Sequence, residues 1–226
     1  MNAFLDFFND PATAPRYAEG PPRFTPGFGD MQTMTAILMA ERAGPEAEVL
    51  VLGAGGGLEL AAFAALFPRW RFVAVDPAGP MLAQAREVMG EAAARARFVE
   101  GLIENAPAGP FAAGCCLLTL HFLESGERLE TLRAVRRRLA PGAPFVAVHC
   151  SFPQAEPDRT TWLDRYEAFA LVQGVDAQLA AKARAVTTSL PVLDPAEDEA
   201  LLREAGFGDV NLFYAGFGWR GWVGYA

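Results

Sequence analysis

A chain of 226 residues, 52% of them hydrophobic, is long enough for one sizeable domain with a buried core and short for two. Its net charge of −8 argues against broad electrostatic binding to nucleic acid, and no apolar run approaches the ~18 residues that span a bilayer. The opening MNAFLDFFNDPATAPRY carries Asp6 and Asp10 with no basic segment before its apolar residues, so it does not read as a secretory signal.

A helix is predicted over 30–42. Then come a β-type run at 48–52, a knot of glycines, a helix over 58–67, a strand at 71–75, a helix over 79–91 and a strand at 97–100. The connection LIENAPAGPFAAG is too rich in Pro and Gly for a full helix, and a loop or single turn is expected there. A strand at 115–120 follows. Its Cys115 and Cys116, with Cys150 further on, are odd in number and lie in apolar segments, which fits reduced buried thiols of a cytoplasmic protein. No Cys/His spacing suggests zinc.

The next helix, over 126–139, contains LETLRAVRRRLA. Leu129, Leu132, Val135 and Leu139 make its apolar stripe, so Arg136, Arg137 and Arg138 read as a solvated face rather than a nucleic-acid patch. After a strand at 144–150, residues 152–190 form an insertion with helix-like stretches at 159–172 and 176–185. A helix over 195–205 precedes VNLFYAGFGWRGWVGYA, whose Gly-rich break near 216–218 requires an antiparallel hairpin. Near-continuous hydrophobic strands alternating with amphipathic helices indicate an α/β domain over 1–226, its mainly parallel sheet covered on both faces.

In VLVLGAGGGLELAAF the strand–turn–helix order exposes backbone amides at the carboxyl edge of the sheet, where ligands of such folds bind. The stretch has no lysine, so it is not a P-loop. Gly53, Gly55 and Gly57 are spaced G-x-G-x-G, and Leu58 fills the position a dinucleotide turn gives to glycine, which turns the odds from NAD or FAD. Asp76 closes the following strand, RFVAVD. Its carboxylate can accept hydrogen bonds from both hydroxyls of an adenosine ribose, or cap the helix beginning near Gly79.

With these residues, and with FVEGLIEN, LLTLHFLE, RRLAPGAPFVAV and the terminal hairpin in the same order, the chain resembles the class I S-adenosylmethionine-dependent methyltransferases. The resemblance implies a Rossmann-like seven-stranded sheet of order 3-2-1-4-5-7-6 with strand 7 antiparallel. It implies S-adenosylmethionine as cofactor, against Gly53, Ala54, Gly55, Gly57, Asp76, Pro77, Leu102, Ile103 and Leu117. Val51 and Leu102 stand where the family commonly has acidic residues. A closer resemblance is to the carboxy-S-adenosylmethionine synthase branch, through PGFGDMQTM, TLHFLESGERLETLRAVRRRLAPGAPFVAVHCSF and FGWRGWV. Arg184 falls near the arginine that holds an extra carboxylate there, while Phe28 replaces a tyrosine and Leu117 an asparagine.

Methyl transfer is an in-line displacement from a cationic sulfur, in which alignment and exclusion of water supply much of the catalysis. A general base is needed only where the acceptor loses a proton. His121, after the fourth strand, is the catalytic candidate. Phe28, His121, His149, Trp162, Tyr166 and Arg184 are expected around the substrate, roofed by an N-terminal segment 1–30 and the insertion 152–190. The expected activity is methyl transfer to a small molecule. A carboxy-cofactor synthase and a non-catalytic cofactor-binding module stand as alternatives; a homodimer stays open.

Overall fold

The computed structural model describes residues 2–10 and 17–226. Its strands are β1 Glu48–Leu52, β2 Arg71–Asp76, β3 Ala96–Glu100, β4 Ala113–Leu117, β5 Pro144–Cys150, β6 Gly208–Gly216 and β7 Trp219–Tyr225. They form one sheet of order β3-β2-β1-β4-β5-β7-β6. The first five are parallel; β7 runs antiparallel to both β5 and β6. This is the α/β sheet order expected from the sequence.

Around it lie α1 Asn2–Asn9, α2 Gly20–Phe24, α3 Phe28–Ala40, α4 Leu58–Leu66, α5 Gly79–Met89, α6 Ser125–Arg136, α7 Asp158–Val172, α8 Ala177–Ser189 and α9 Pro195–Glu204. Side chains of β1 alternate between two cores, as the period of a strand requires. Val49 and Val51 pack with Met31, Met39, Leu60 and Phe63 from α3 and α4. Leu50 and Leu52 pack on the other face with Leu132 and Val135 from α6 and Leu201 and Leu202 from α9. Both faces of the central strands are therefore dry, which explains their unbroken apolar runs.

Two elements depart from expectation by more than a turn's fraying: α8 runs on to Ser189 rather than 185, and β4 is shifted towards the N-terminus. It begins at Ala113 and ends at Leu117, because Leu118 turns to φ +55° and the chain enters a 3-10 turn over Leu120–Phe122. The Pro- and Gly-rich connection before it holds only a 3-10 turn at Ile103–Asn105, as expected. β6 carries two irregularities of register against β7, the first beside Asp209 at φ +47°, a bulge that its sequence does not announce. The three cysteines are free and buried. Among the described residues no helix is long and apolar enough to cross a membrane.

Candidate functional site

The glycine turn is built by close approach. Gly53, Gly55 and Gly57 all take positive φ, at +71°, +41° and +80°. A Cβ at Gly53 would run into the Thr119 hydroxyl; one at Gly57 would lie 2.6 Å from the Ala85 Cα. Gly57 thus lets α4 cross α5, and Gly53 lets the turn lie against the end of β4. The Gly53 and Ala54 amides both donate to the Val75 carbonyl, at 2.8 and 3.1 Å, tying the turn to β2.

Asp76 ends β2 beside this turn. One carboxylate oxygen accepts from the Gly55 amide at 2.9 Å and the other from the Ala78 amide at 2.8 Å. Burial raises the carboxyl pKa, and these two amides partly offset the rise. Ala78, not Asp76, is the N-cap of α5, and its side chain makes no cap bond. The simple helix-cap alternative is therefore replaced by a brace joining two loops, with a lone pair on each oxygen left for a ligand hydroxyl.

A cavity of about 420 Å³ opens above these residues, within the range of small-molecule sites. Gly53, Gly55, Asp76 and Pro77 line it, as do Leu102 and Ile103 beyond β3. Leu117 and Phe28 instead line a smaller neighbouring cavity. Ala54 and Gly57 line neither: Ala54 is fully buried and Gly57 serves the helix crossing. The Leu102 amide donates to Asn105 Oδ1 at 3.1 Å, so it is engaged within its own turn.

The charge on the main cavity is one-signed. Asp76, Glu104, Glu127 and Glu130 line it, and no Lys, Arg or His does so among the described residues. Glu130 is partly neutralised by Arg133, 2.7 Å away. Such a wall suits a cation and disfavours a phosphate.

Other expected site residues lie elsewhere. His121 is buried in the 3-10 turn after β4, against Phe122 and Trp219, and lines neither cavity. Its Nδ1 accepts from the Cys150 amide at 3.3 Å. Burial, His149 and Arg128 lower its pKa well below the usual histidine value. In the neutral ring the other nitrogen then carries the proton and is a donor, which removes the lone pair a general base needs.

His149 is also away from the cavity. Val148 and Cys150 face the α3 side of β5, so His149 faces the α6 and α9 side, where its Nε2 lies 3.1 Å from Asp198 Oδ1. Arg184 is held by Asp164 at 2.7 Å and Glu167 at 3.3 Å, an ion-pair set within α7 and α8. Tyr166 stacks on Phe24, and Trp162 receives Arg165 and Arg220 on its ring. No residue of 152–190 lines either cavity, so the expected roof from the insertion is corrected to packing against α2 and the sheet edge.

Sequence reasoning expected the N-terminal segment over the pocket but did not single out the residues of its front wall. Leu5 and Phe8 of α1 line the main cavity with Tyr17 and Met81, and the Phe8 ring meets Phe122 edge-on at 5.8 Å. The apolar residues of MNAFLDFF were the available signal. Thr119, Thr131 and the two acidic residues of α6 complete the mouth.

Residues 49–142, from β1 through the loop after α6, match a family described as methyltransferase domain. The matched span is less than half of the chain. The chain is similar to the carboxy-S-adenosyl-L-methionine synthase of Chromohalobacter salexigens, with 29% identity over 201 residues, 85% of this chain and 73% of that protein. Its fold is similar to an O-methyltransferase family protein from Burkholderia thailandensis, with TM-score 0.67 and 14% identity over 97% of this chain and 61% of that one. It is also similar to human N-acetylserotonin methyltransferase in complex with SAM, with TM-score 0.64 and 14% identity over 99% of this chain and 59% of that one. The chain thus spans less than two thirds of either solved chain. The expected resemblance to S-adenosylmethionine-dependent methyltransferases is borne out in domain and fold.

Proposed function

We propose that this methyltransferase binds S-adenosylmethionine and transfers its methyl group, by in-line displacement, to a small-molecule acceptor in the cytoplasm. The observation that carries the reading is the main cavity: a glycine turn and Asp76 at the carboxyl edge of the sheet, lined among the described residues by four carboxylates and no cation. Asp76 suits a ribose diol, the apolar Leu102, Ile103 and Met81 suit an adenine ring, and the negative wall suits a sulfonium. Leu5, Phe8 and Tyr17 act as the cap that excludes water. Alignment and desolvation then do most of the catalysis, without a histidine base.

The similarity to the Chromohalobacter carboxy-S-adenosyl-L-methionine synthase favours a second reading, a carboxy-S-adenosylmethionine synthase-like enzyme. Against it stand the ion pairs that hold Arg184 and the apolar Phe28 and Leu117 in the smaller cavity. Calorimetry with S-adenosylmethionine, S-adenosylhomocysteine and NAD tests the first reading, which expects the two sulfur nucleosides to bind and NAD not to. Binding of NAD alone sinks it. Binding of the nucleosides without turnover on a broad acceptor panel favours a non-catalytic module.

A further inference from the structure

A second cavity, about 10 Å³, lies beneath the glycine turn and has room for one water-sized group. It shares Tyr17, Gly53, Gly55 and Leu118 with the main cavity, so the two meet along one edge. Its wall includes Glu59, in the first turn of α4, and Gln32 of α3. Glu59 is only 9% exposed. Only its own backbone amide offsets the desolvation of its carboxyl, and among the described residues no side chain pairs with it. Among the described residues the ionisable groups facing it are Tyr17, Asp76 at the end of β2, and Cys115 and Cys116 of β4, none of them a cation. Phe28 and Gln32 on α3 are neutral. A carboxyl desolvated to this degree without a partner is costly, and the cavity it lines admits a group the size of an ammonium.

We propose that Glu59 is the binding residue for the ammonium group of the ligand's amino-acid end, which enters the small cavity while the nucleoside lies along Asp76. The proposal rests on the S-adenosylmethionine reading above. It assigns the two cavities to two ends of one molecule joined across Gly53 and Gly55.

The assignment has a proton attached to it. In the free protein burial pushes Glu59 up to about 8, so at pH 7 the carboxyl is mostly protonated. An ammonium brought against it favours the carboxylate, and the displaced proton leaves to solvent. Binding of an amino-acid-bearing nucleoside should therefore release a proton at pH 7 and tighten as pH rises from 6 to 8.

Calorimetry with S-adenosylhomocysteine and with 5′-methylthioadenosine, which lacks the amino-acid end, tests this on wild type and Glu59→Gln. Glutamine matches the shape of the protonated side chain, so the variant should keep the fold and bind methylthioadenosine as wild type does. Its affinity for S-adenosylhomocysteine should fall on the order of 10- to 100-fold. Proton release, read from the heat in buffers of different ionisation enthalpy, should vanish in the variant. Release that persists in the variant would assign the proton to another group, Asp76 foremost, and overturn the proposal. Equal affinity for S-adenosylhomocysteine in both proteins overturns it too, leaving the nucleoside site intact. Failure of wild type to bind either nucleoside overturns the nucleoside reading, and this inference with it.

Discussion

Asp76 was legible as a carboxylate at the cavity because it closes a strand one crossover from a glycine turn. Its second task was not, since no spacing reveals that each oxygen also takes a backbone amide, from Gly55 and from Ala78. Asp76→Ala should cost about 1.5–3 kcal/mol of nucleoside affinity, the range for hydrogen bonds to a charged group. It should also lower the melting temperature by a few degrees, because two amides lose their acceptor; an unchanged melting curve would contradict the brace. Glu59 works in the opposite sense. Its folded pKa, about 8, lies above the ordinary 4.5, so its contribution to stability is complete below pH 4.5 and is lost as pH rises through 8. Glu59→Gln should therefore melt higher than wild type at pH 8.5, with the gap closing at pH 5. A binding residue that weakens the fold at working pH is a common compromise at functional sites. His121 shows the limit of position alone: β4 ends at Leu117 rather than 120, and only the bond that Nδ1 accepts from the Cys150 amide shows that this nitrogen's lone pair is taken.

Most helices and strands were legible because their apolar period matches the layer they bury. The exceptions have physical causes. Ala113 and Gly114 open β4 with little intrinsic strand preference, and pairing with Val49 and Leu50 of β1 decides their state. Long-range polar contacts between elements left no local pattern either. Arg128 of α6 is fully buried, ion-paired with Asp198 of α9, and donates to the Leu123 and Pro191 carbonyls at 3.1 and 2.8 Å. It thereby fixes a cavity-lining loop to the helix behind it. Asp198→Ala strands the guanidinium and should destabilise the fold by about 3–5 kcal/mol, measured by urea unfolding. Replacing both partners with Arg128→Met and Asp198→Leu should cost less than the two single changes added together. Burial alone would raise the Asp198 carboxyl, but His149 and Arg128 outweigh it and hold the pKa down to about 2, from an ordinary 3.8. That stabilisation is present above pH 3.8 and lost as pH falls through 2. The Asp198→Ala melting temperature should accordingly vary less than wild type's over this interval.

For the whole molecule, the sheet places every charge that matters on one side of a question the sequence left open. Arg184 was brought into the site by its place in the chain, next to residues that resemble the carboxy-cofactor branch. The fold puts it on α8 instead, between Asp164 and Glu167 of α7, while four carboxylates line the main cavity. An added carboxylate on the cofactor would meet a field of its own sign and, in the smaller cavity, the apolar faces of Phe28 and Leu117. A buried anion without a cationic partner costs several kcal/mol. S-adenosylmethionine should therefore bind more tightly than its carboxylated form, by at least tenfold (about 1.4 kcal/mol). Arg184→Ala should leave both affinities within about twofold, because its surface ion pairs contribute little and lie outside the cavity. Competition between the two cofactors on wild type and this variant measures both statements at once. A preference for the carboxylated form that disappears with Arg184 would mean that α7 and α8 swing onto the cavity when ligand binds. The carboxy-cofactor reading would then replace simple methyl transfer.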